Sequence, residues 1–352
     1  MITKTIDDST ISFLVEEPDD LLTLRRIIKS GDRIVADTTR VIKQEKDFAR
    51  PDRGERVRIR IALDVEKAAL DSVFDRLRVH GTITESSSEE VSKGVHHSLL
   101  VKIDDSLNIS KKKWLPIEQK LIKSQDESFG FVLVAVDRGD CGIGKLKGTH
   151  LQLLQNLYSG SGGKQYKTNF NIEPFFENML KAMQTVLREN DVIVIFGPGE
   201  TKKQFNNYIQ KAPLAKKHKI EIVEGIDSGG EDGIYTFIKS KSMRQILGEG
   251  KLAKVAAILE EIMIKAYHKS KKFTMGFDET KKANQYGAIE SLVFSEKIIQ
   301  TRNESEVIEF LNEVEAKGVK VYALDSSTDI GMQVSGLGGM VSLLRFPIES
   351  AG

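Results

Sequence analysis

One cysteine, Cys141, stands in 352 residues, so no disulfide can close within the chain and its cores must rest on packing alone. That composition suits a reducing compartment. No apolar run approaches the roughly 20 residues that cross a bilayer. The chain opens on polar Thr3, Lys4 and Asp7 rather than on a secretory leader, so a cytoplasmic location and no membrane partner are expected. An excess of either charge is also missing. With 52 Lys and Arg against 51 Asp and Glu, any contact with nucleic acid must come from local basic surfaces. There is no internal repeat and no long low-complexity tract.

The length predicts two or three domains, each large enough for its own core. Residues 1–123 read mostly as strands. A short apolar strand covers Ile11 to Val15, and Pro18 then opens a helix through Ile28, with Asp19 and Asp20 in its first turn, Lys29 at its end and Gly31 as its stop. Strands follow at Arg33 to Asp37, Arg40 to Gln44, Val57 to Asp64, Leu77 to Glu85 and His97 to Ile103, which predicts a small β-barrel.

After a polar linker at Ser124 to Ser128, residues 129–250 alternate strand and helix. The strands are Phe131 to Val136, Cys141 to Leu146, Leu151 to Leu157, Asp191 to Phe196 and Ile220 to Val223; the helices are Pro174 to Arg188 and Lys202 to Ile209. That is an α/β layer pattern. Residues 251–350 predict an α/β/α sandwich, with helices at Leu252 to Ser270, Ala283 to Gly287 and Ser305 to Lys317, and strands at Glu290 to Phe294, Val319 to Leu324 and Gly339 to Arg345. The fold class is thus multi-domain, β followed by α/β.

Among residues that carry chemistry, Arg56, Arg58 and Arg60 alternate with Val57, Ile59 and Ile61. A strand would set the guanidiniums on one face at a spacing of roughly 6.6 Å, close to the phosphate step of extended RNA. Lys43, Lys46, Arg50 and Arg53 lie in or beside the preceding loop, while Glu45, Asp47, Asp52 and Glu55 dilute the charge. An RNA-binding face and an ordinary solvated face both fit. Lys111-Lys112-Lys113-Trp114 is a second basic cluster, in which the indole is expected to pack rather than to stack a base. His96 and His97 are neighbours on a strand and point to opposite faces, which disfavours a shared metal. His218 and His268 read as surface residues. Asp137, Asp140, Asp191 and Asp227 are the carboxylates a metal-dependent nuclease would draw on, but nothing in the sequence brings them together. The acidic group Glu16, Glu17, Asp19 and Asp20 is accounted for by helix capping. Gly197-Pro198-Gly199 reads as a strand-to-helix turn, with Thr201 as a helix cap.

The segment Gly331-Met-Gln-Val-Ser-Gly-Leu-Gly338-Gly339-Met-Val-Ser-Leu-Leu-Arg345-Phe346-Pro347, together with Thr280 to Phe294, resembles the C-terminal domain shared by the Pelota family and the class-1 peptide release factors of archaea and eukaryotes. Gly31-Asp32, Thr39-Arg40-Val41, Gly94-Val95-His96-His97-Ser98-Leu99 and Phe196-Gly197-Pro198-Gly199 extend the resemblance over nearly the whole chain and single out Pelota.

The resemblance implies an Sm-like N-terminal barrel, an RNase H-like central domain and a release-factor-like third domain. It implies a ribosome-rescue factor that enters the A site of stalled ribosomes as a tRNA mimic. Its partners would be an elongation factor 1 alpha-class GTPase and an ABC-type ATPase, and it would work as a monomer with no required cofactor. By the same resemblance Arg56, Arg58 and Arg60, with the loop cations, would face RNA in the decoding region, and Lys164 and Lys167 would supply a basic loop towards tRNA or ribosomal RNA. Pro198, Gly199 and Glu200 would touch the GTPase.

Two departures stand out. Glu200 replaces the family's usual phenylalanine after Pro-Gly, and Gly230 replaces the histidine of Ser-Gly-His, which is expected to make that loop more mobile. Gly162-Gly163-Lys164-Gln165 interrupts the Gly-Gly-Gln of hydrolytic release factors, and an Asn-Ile-Lys-Ser motif is absent. No catalytic residue is therefore assigned. A divalent-metal RNA endonuclease, which would need an ion, and a peptide release factor stay open as alternatives.

Overall fold

The computed structural model describes residues 1–42, 55–71, 76–88, 90–123, 130–160, 171–248, 250–326 and 328–348, with the backbone alone at 40–42, 55 and 56. The chain divides into two compact units: Met1–Glu127 with Glu296–Val321, and Ser128–Ser295 with Tyr322–Gly352. No described helix is long and apolar enough to cross a membrane.

In the first unit the elements run β1 (Ile2–Thr5), β2 (Thr10–Leu14), α1 (Pro18–Ile27), β3 (Arg33–Ile42), β4 (Glu55–Leu70), β5 (Arg76–Ser86), β6 (His96–Lys102), β7 (Ser106–Ser110) and α2 (Pro116–Lys123). Helix α1 starts where expected: Pro18 opens it, Glu17 and Asp20 form a reciprocal capping box, and Arg25 and Arg26 occupy its last turn. Its end differs. Ile28 is already extended, and Gly31 (φ +87°) instead turns the chain into β3, its N–H donating to Val65 O. The two strands expected between Arg33 and Gln44 are one, because Thr38 and Thr39 continue the ladder against Ile59 and Arg58.

The antiparallel ladders give the order β1-β2-β7-β3-β4-β5-β6. Among the described residues no ladder joins β6 to β1 or to β3, so the expected small barrel is not closed. Alternation along the strands sends Ile59, Ile61, Leu63, Leu77, Val79, Leu99 and Val101 into a core shared with Leu21, Leu24 and Ile27 of α1. Trp114 seals the core beside Phe13, its Nε1 donating to Ser9 O at 2.9 Å. Packing of that indole was the expectation, and this contact is its cause.

The second unit begins with β8 (Phe131–Val136), β9 (Asp140–Lys147), β10 (His150–Leu153), β11 (Leu157–Tyr158), α3 (Glu173–Val186), β12 (Val192–Phe196), α4 (Thr201–Ile209), β13 (Ile220–Ile222), α5 (Gly230–Lys239) and α6 (Lys241–Leu247). Strand β12 pairs in parallel with both β8 and β13, β9 runs antiparallel to β8, and the order is β10-β9-β8-β12-β13 with β11 on β9. Every residue of β8 is buried because helices cover both sheet faces. Leu133, Ala135, Val194 and Phe196 meet Ile234 and Phe237 of α5 on one side; Val132, Val134, Ile193 and Ile195 meet Phe176, Met179 and Met183 of α3 and Phe205 of α4 on the other.

The chain continues through α7 (Lys251–Tyr267), β14 (Phe273–Met275), α8 (Phe277–Gln285), β15 (Ile289–Ser295), α9 (Lys297–Thr301), α10 (Glu304–Ala316), β16 (Lys320–Leu324), α11 (Asp329–Gly336) and β17 (Met340–Leu344). The last sheet is ordered β14-β17-β15-β16. Its glycine-rich C-terminal motif is structural. A Cβ on Gly331 would lie 1.9 Å from Asp325 O, and Gly338 (φ +92°) packs on the Gly276 backbone. Thr280, from the other half of the motif, joins Thr274 and Ser342 in a buried hydroxyl chain with links of 2.9 and 2.6 Å.

Lys111, read as one member of a basic cluster, is set apart from Lys112 and Lys113 by its burial. Its ammonium is buried and donates to Asp32 at 2.6 Å and to Ile27 O at 2.7 Å, with Glu118 at 3.4 Å. Removing it takes the ammonium from buried Asp32 and leaves buried Glu118 with the half-exposed Lys29 at 3.4 Å. Lys111→Met should lower stability by about 3–5 kcal/mol in urea unfolding; a loss below about 1 kcal/mol, the range of an exposed pair, would contradict this account.

Candidate functional site

Strand β4 places Val57, Ile59 and Ile61 against the core and Arg58 and Arg60 outward. Arg58 is 80% exposed and reaches Asp37 on β3 at 2.9 Å. An exposed ion pair of this kind is worth under about 1 kcal/mol. The guanidinium is therefore available to a phosphate. Arg60 is tied through its backbone, its N–H donating to Ser87 Oγ at 3.0 Å, which leaves the side chain exposed. The backbone of Arg56 continues the strand opposite Val41. Lys43, Lys46, Arg50, Arg53, Lys164 and Lys167 lie outside the described residues.

His96 and His97 separate as the strand geometry requires. His96 Nδ1 lies 3.1 Å from Glu66, whereas His97 Nε2 lies 3.2 Å from Thr38 Oγ1. His218 is half-buried and bonds Asp191 O through Nδ1 at 3.0 Å, a correction to its reading as a surface residue. His268 is exposed.

The Pro198 turn is held from below by a residue that sequence reasoning passed over. Lys202, in the first turn of α4, is buried and donates to Gly197 O at 2.9 Å and Gly199 O at 3.0 Å, while Glu224 closes the set at 2.9 Å. A lysine at a helix N-terminus opposes the macrodipole, and that anomaly was the available signal. The carbonyls it neutralises belong to Gly197 (φ +136°) and Gly199 (φ +62°). A Cβ on Gly197 would strike Val136 O at 2.1 Å, so the turn is locked against β8. Thr201 does not cap α4; the cap position is Glu200, whose side chain is exposed and meets Lys203 at 3.0 Å. The Lys202 hydrogen bond holds the Glu224 carboxyl below its ordinary value, and Glu200 raises Lys203.

Gly230 does not loosen its loop by leaving a gap. It is buried, adopts φ +61° and opens α5, and a Cβ there would fall 2.5 Å from Asp140 Oδ2. Gly142 of β9 meets it from the opposite side, where a Cβ would lie 2.4 Å from Gly230 C. A side chain at this position would require the Asp140 carboxylate to move and would strain the positive φ.

Of the central carboxylates, Asp137 and Asp140 share one neighbourhood with Asp232, whereas Asp191 is engaged elsewhere. Asp191 accepts from Gly130 N at 3.0 Å and Arg188 N at 2.6 Å and pairs with buried Lys145. Burial first, then Asp137 and Asp232, push the Asp140 carboxyl up. Asp227 is exposed. Asp20, in the N-terminal acidic group, accepts from Glu16 N and Glu17 N at 2.8 and 3.0 Å, as capping requires. Among the described residues, neither unit by itself gathers three carboxylate, histidine or thiol ligands around one point.

Residues 1–125 match the family model for the Pelota N-terminal domain, and residues 252–348 match that for eRF1 domain 3. A protein pelota homolog from Nitrosopumilus maritimus is 62% identical over 350 residues, covering 99% of this chain and 100% of its own length. The chain belongs to the pelota family. A second homolog, from Cenarchaeum symbiosum, is 48% identical over 346 residues, covering 98% of this chain and 99% of that one. Among solved structures, the Thermoplasma acidophilum Pelota protein superposes with a TM-score of 0.64 at 23% identity, covering 99% of this chain and 100% of that one, which shows the shared multi-domain α/β fold.

If Lys202 is what holds the Pro198 turn, Lys202→Met should lower stability by about 1.5–3 kcal/mol, the range for hydrogen bonds to a charged group. Hydrogen exchange of a peptide spanning Phe196 to Lys203 should accelerate in parallel. Unchanged exchange would mean that the glycine geometry holds the turn unaided.

Proposed function

We propose that this chain is a ribosome-rescue factor that enters the A site of stalled ribosomes as a tRNA and release-factor mimic. There it promotes subunit dissociation together with an elongation factor 1 alpha-class GTPase and an ABC-type ATPase. The observation that carries the reading is the 62% identity to a pelota homolog along 99% of the chain. The finer architecture we read as an Sm-like domain at 1–123, an RNase H-like domain at 129–250 and an α/β/α sandwich at 251–350, working in the cytoplasm as a monomer without a cofactor of its own.

In this reading the N-terminal domain probes the decoding region. Arg56, Arg58 and Arg60, with Lys43, Lys46, Arg50 and Arg53, neutralise RNA phosphates, and Lys164 and Lys167 do the same near tRNA or ribosomal RNA. Pro198, Gly199 and Glu200 present a rigid turn to the GTPase, with Glu200 offering charge where an aromatic is usual. Lys164 breaks the water-positioning Gly-Gly-Gln, which speaks against peptide release. The binding of Asp191 to Lys145 and two backbone amides speaks against its use in two-metal cleavage.

The test is a salt series. Arg56, Arg58 and Arg60 changed together to Gln should weaken ribosome binding while leaving the fold intact, because Val57, Ile59 and Ile61 keep the buried face. Each lost phosphate contact should flatten the log-log salt dependence by roughly 0.7 to 0.9. Superimposed lines for wild type and variant would remove the arginine face from the RNA contact.

A further inference from the structure

The open end of the N-terminal sheet is a second place built to receive a ligand. Between β6 and the far half of β3 lies a groove of about 520 Å³. Its walls are strand edges. Among the described residues strand β6 pairs only with β5, and β7 covers β3 only from Arg33 to Ala36, so from Asp37 onward β3 has one neighbour there. The two walls touch through side chains, Thr38 Oγ1 lying 3.2 Å from His97 Nε2.

The hydrogen bonds show which backbone groups face the gap. Lys102 N donates to the Asp105 carboxylate at 2.8 Å, and Arg76 O, across the ladder from Lys102, accepts from Asp71 N at 2.9 Å. That cross-strand pair exchanges no bonds. By the two-residue alternation of antiparallel ladders, Ser98 and Leu100 also turn N–H and C=O away from β5. On β3, Val65 N donates to Asp32 O at 2.8 Å, and Arg60 O, opposite Asp37, accepts from Ser87 N at 2.9 Å. Asp37 and Thr39 therefore direct their backbone groups outward as well. An exposed strand edge is normally blunted by a proline, a bulge or a covering element. Strand β6 carries no proline.

We infer that this seam binds an extended peptide segment of a partner, inserted as an added strand between β6 and β3 and carrying a basic residue at the end that meets Asp104 and Asp105. Four outward-facing residues from two strands offer the backbone donors and acceptors that strand addition uses. Charge sets the sign of the partner. Asp37, Asp104 and Asp105 line the groove against Arg58 and Lys102, an excess of one carboxylate. A polyanion meets a carboxylate excess there. The lining also has no Phe, Tyr or Trp on which a nucleobase could stack, which further favours peptide over single-stranded RNA.

The experiment pans a phage-displayed random dodecapeptide library on the full-length chain and measures the affinity of the synthetic form of each enriched sequence. Two variants read the mechanism. Leu100→Pro removes an outward N–H and leaves the β5 ladder bonds in place; Asp104→Asn removes one charge with a residue that tolerates the left-handed φ of +69°. Enriched peptides should carry Lys or Arg, lose about tenfold or more in affinity on Leu100→Pro, and lose roughly two- to fivefold on Asp104→Asn. Amide exchange at Ser98 and Leu100 of the wild-type chain should slow when peptide is added, a readout that stands if Leu100→Pro does not fold. No enrichment, unchanged exchange at those amides, equal binding to a folded Leu100→Pro, or displacement of the peptide by a uridine or adenosine hexamer would each overturn the inference.

Discussion

Successive side chains of a β-strand leave in opposite directions, and this constraint joins the stability of the N-terminal unit to its candidate chemistry. On β4 the residues that must be buried, Ile59 and Ile61, dictate that Arg58 and Arg60 are displayed. A one-residue slip would bury guanidiniums and expose the core. The register is therefore held by hydrophobic burial, and the arginine face needs no stabilising interaction of its own. In the central sheet helices cover both faces, and the same alternation produces two apolar clusters with no displayed face.

Buried ammonium groups do a second kind of work. Lys111, Lys145 and Lys202 each leave solvent to meet a carboxylate, and Lys111 and Lys202 also satisfy backbone carbonyls at the ends of elements. Lys111 ties the end of α1 to Asp32, at the entry to β3. Lys202 supports a turn made of two left-handed glycines and a proline. Such groups are poor sources of net stability but strict about geometry, since losing one partner strands another charge. A rigid turn suits a docking surface because less ordering remains to be done on binding.

The sequence was legible where one local rule dominates. Pro18 with acids behind it marked α1, and the unbroken apolar runs of β8 and β12 marked doubly covered strands. It was less legible where distant parts of the chain decide. Whether the N-terminal strands closed into a barrel depended on a pairing between β6 and β3 that no local pattern encodes. Helix α11 hides in a glycine-rich motif, although Thr328, which accepts from Gly331 N at 3.1 Å, was a readable cap. Lys111 looked like one of three equivalent lysines until Asp32 and Glu118 were brought to it. Gly230 looked like a source of freedom, and its neighbours Asp140 and Gly142 make it a site of close approach. Most of the candidate site residues are legible through family resemblance, whereas Asp37, Lys202 and Glu224 take their place only through the folded geometry.

We propose that the chain rescues stalled ribosomes and itself neither cuts mRNA nor releases peptide. Ribosomes stalled on an mRNA lacking a stop codon, supplied with the GTPase and the ABC-type ATPase, give the most direct measurement. Subunit dissociation is followed by light scattering, with the peptidyl-tRNA ester and the mRNA assayed in the same reaction. The account predicts faster dissociation when the chain is present, with ester and mRNA intact. Unchanged dissociation, or ester hydrolysis or mRNA cleavage that tracks the chain, would contradict it.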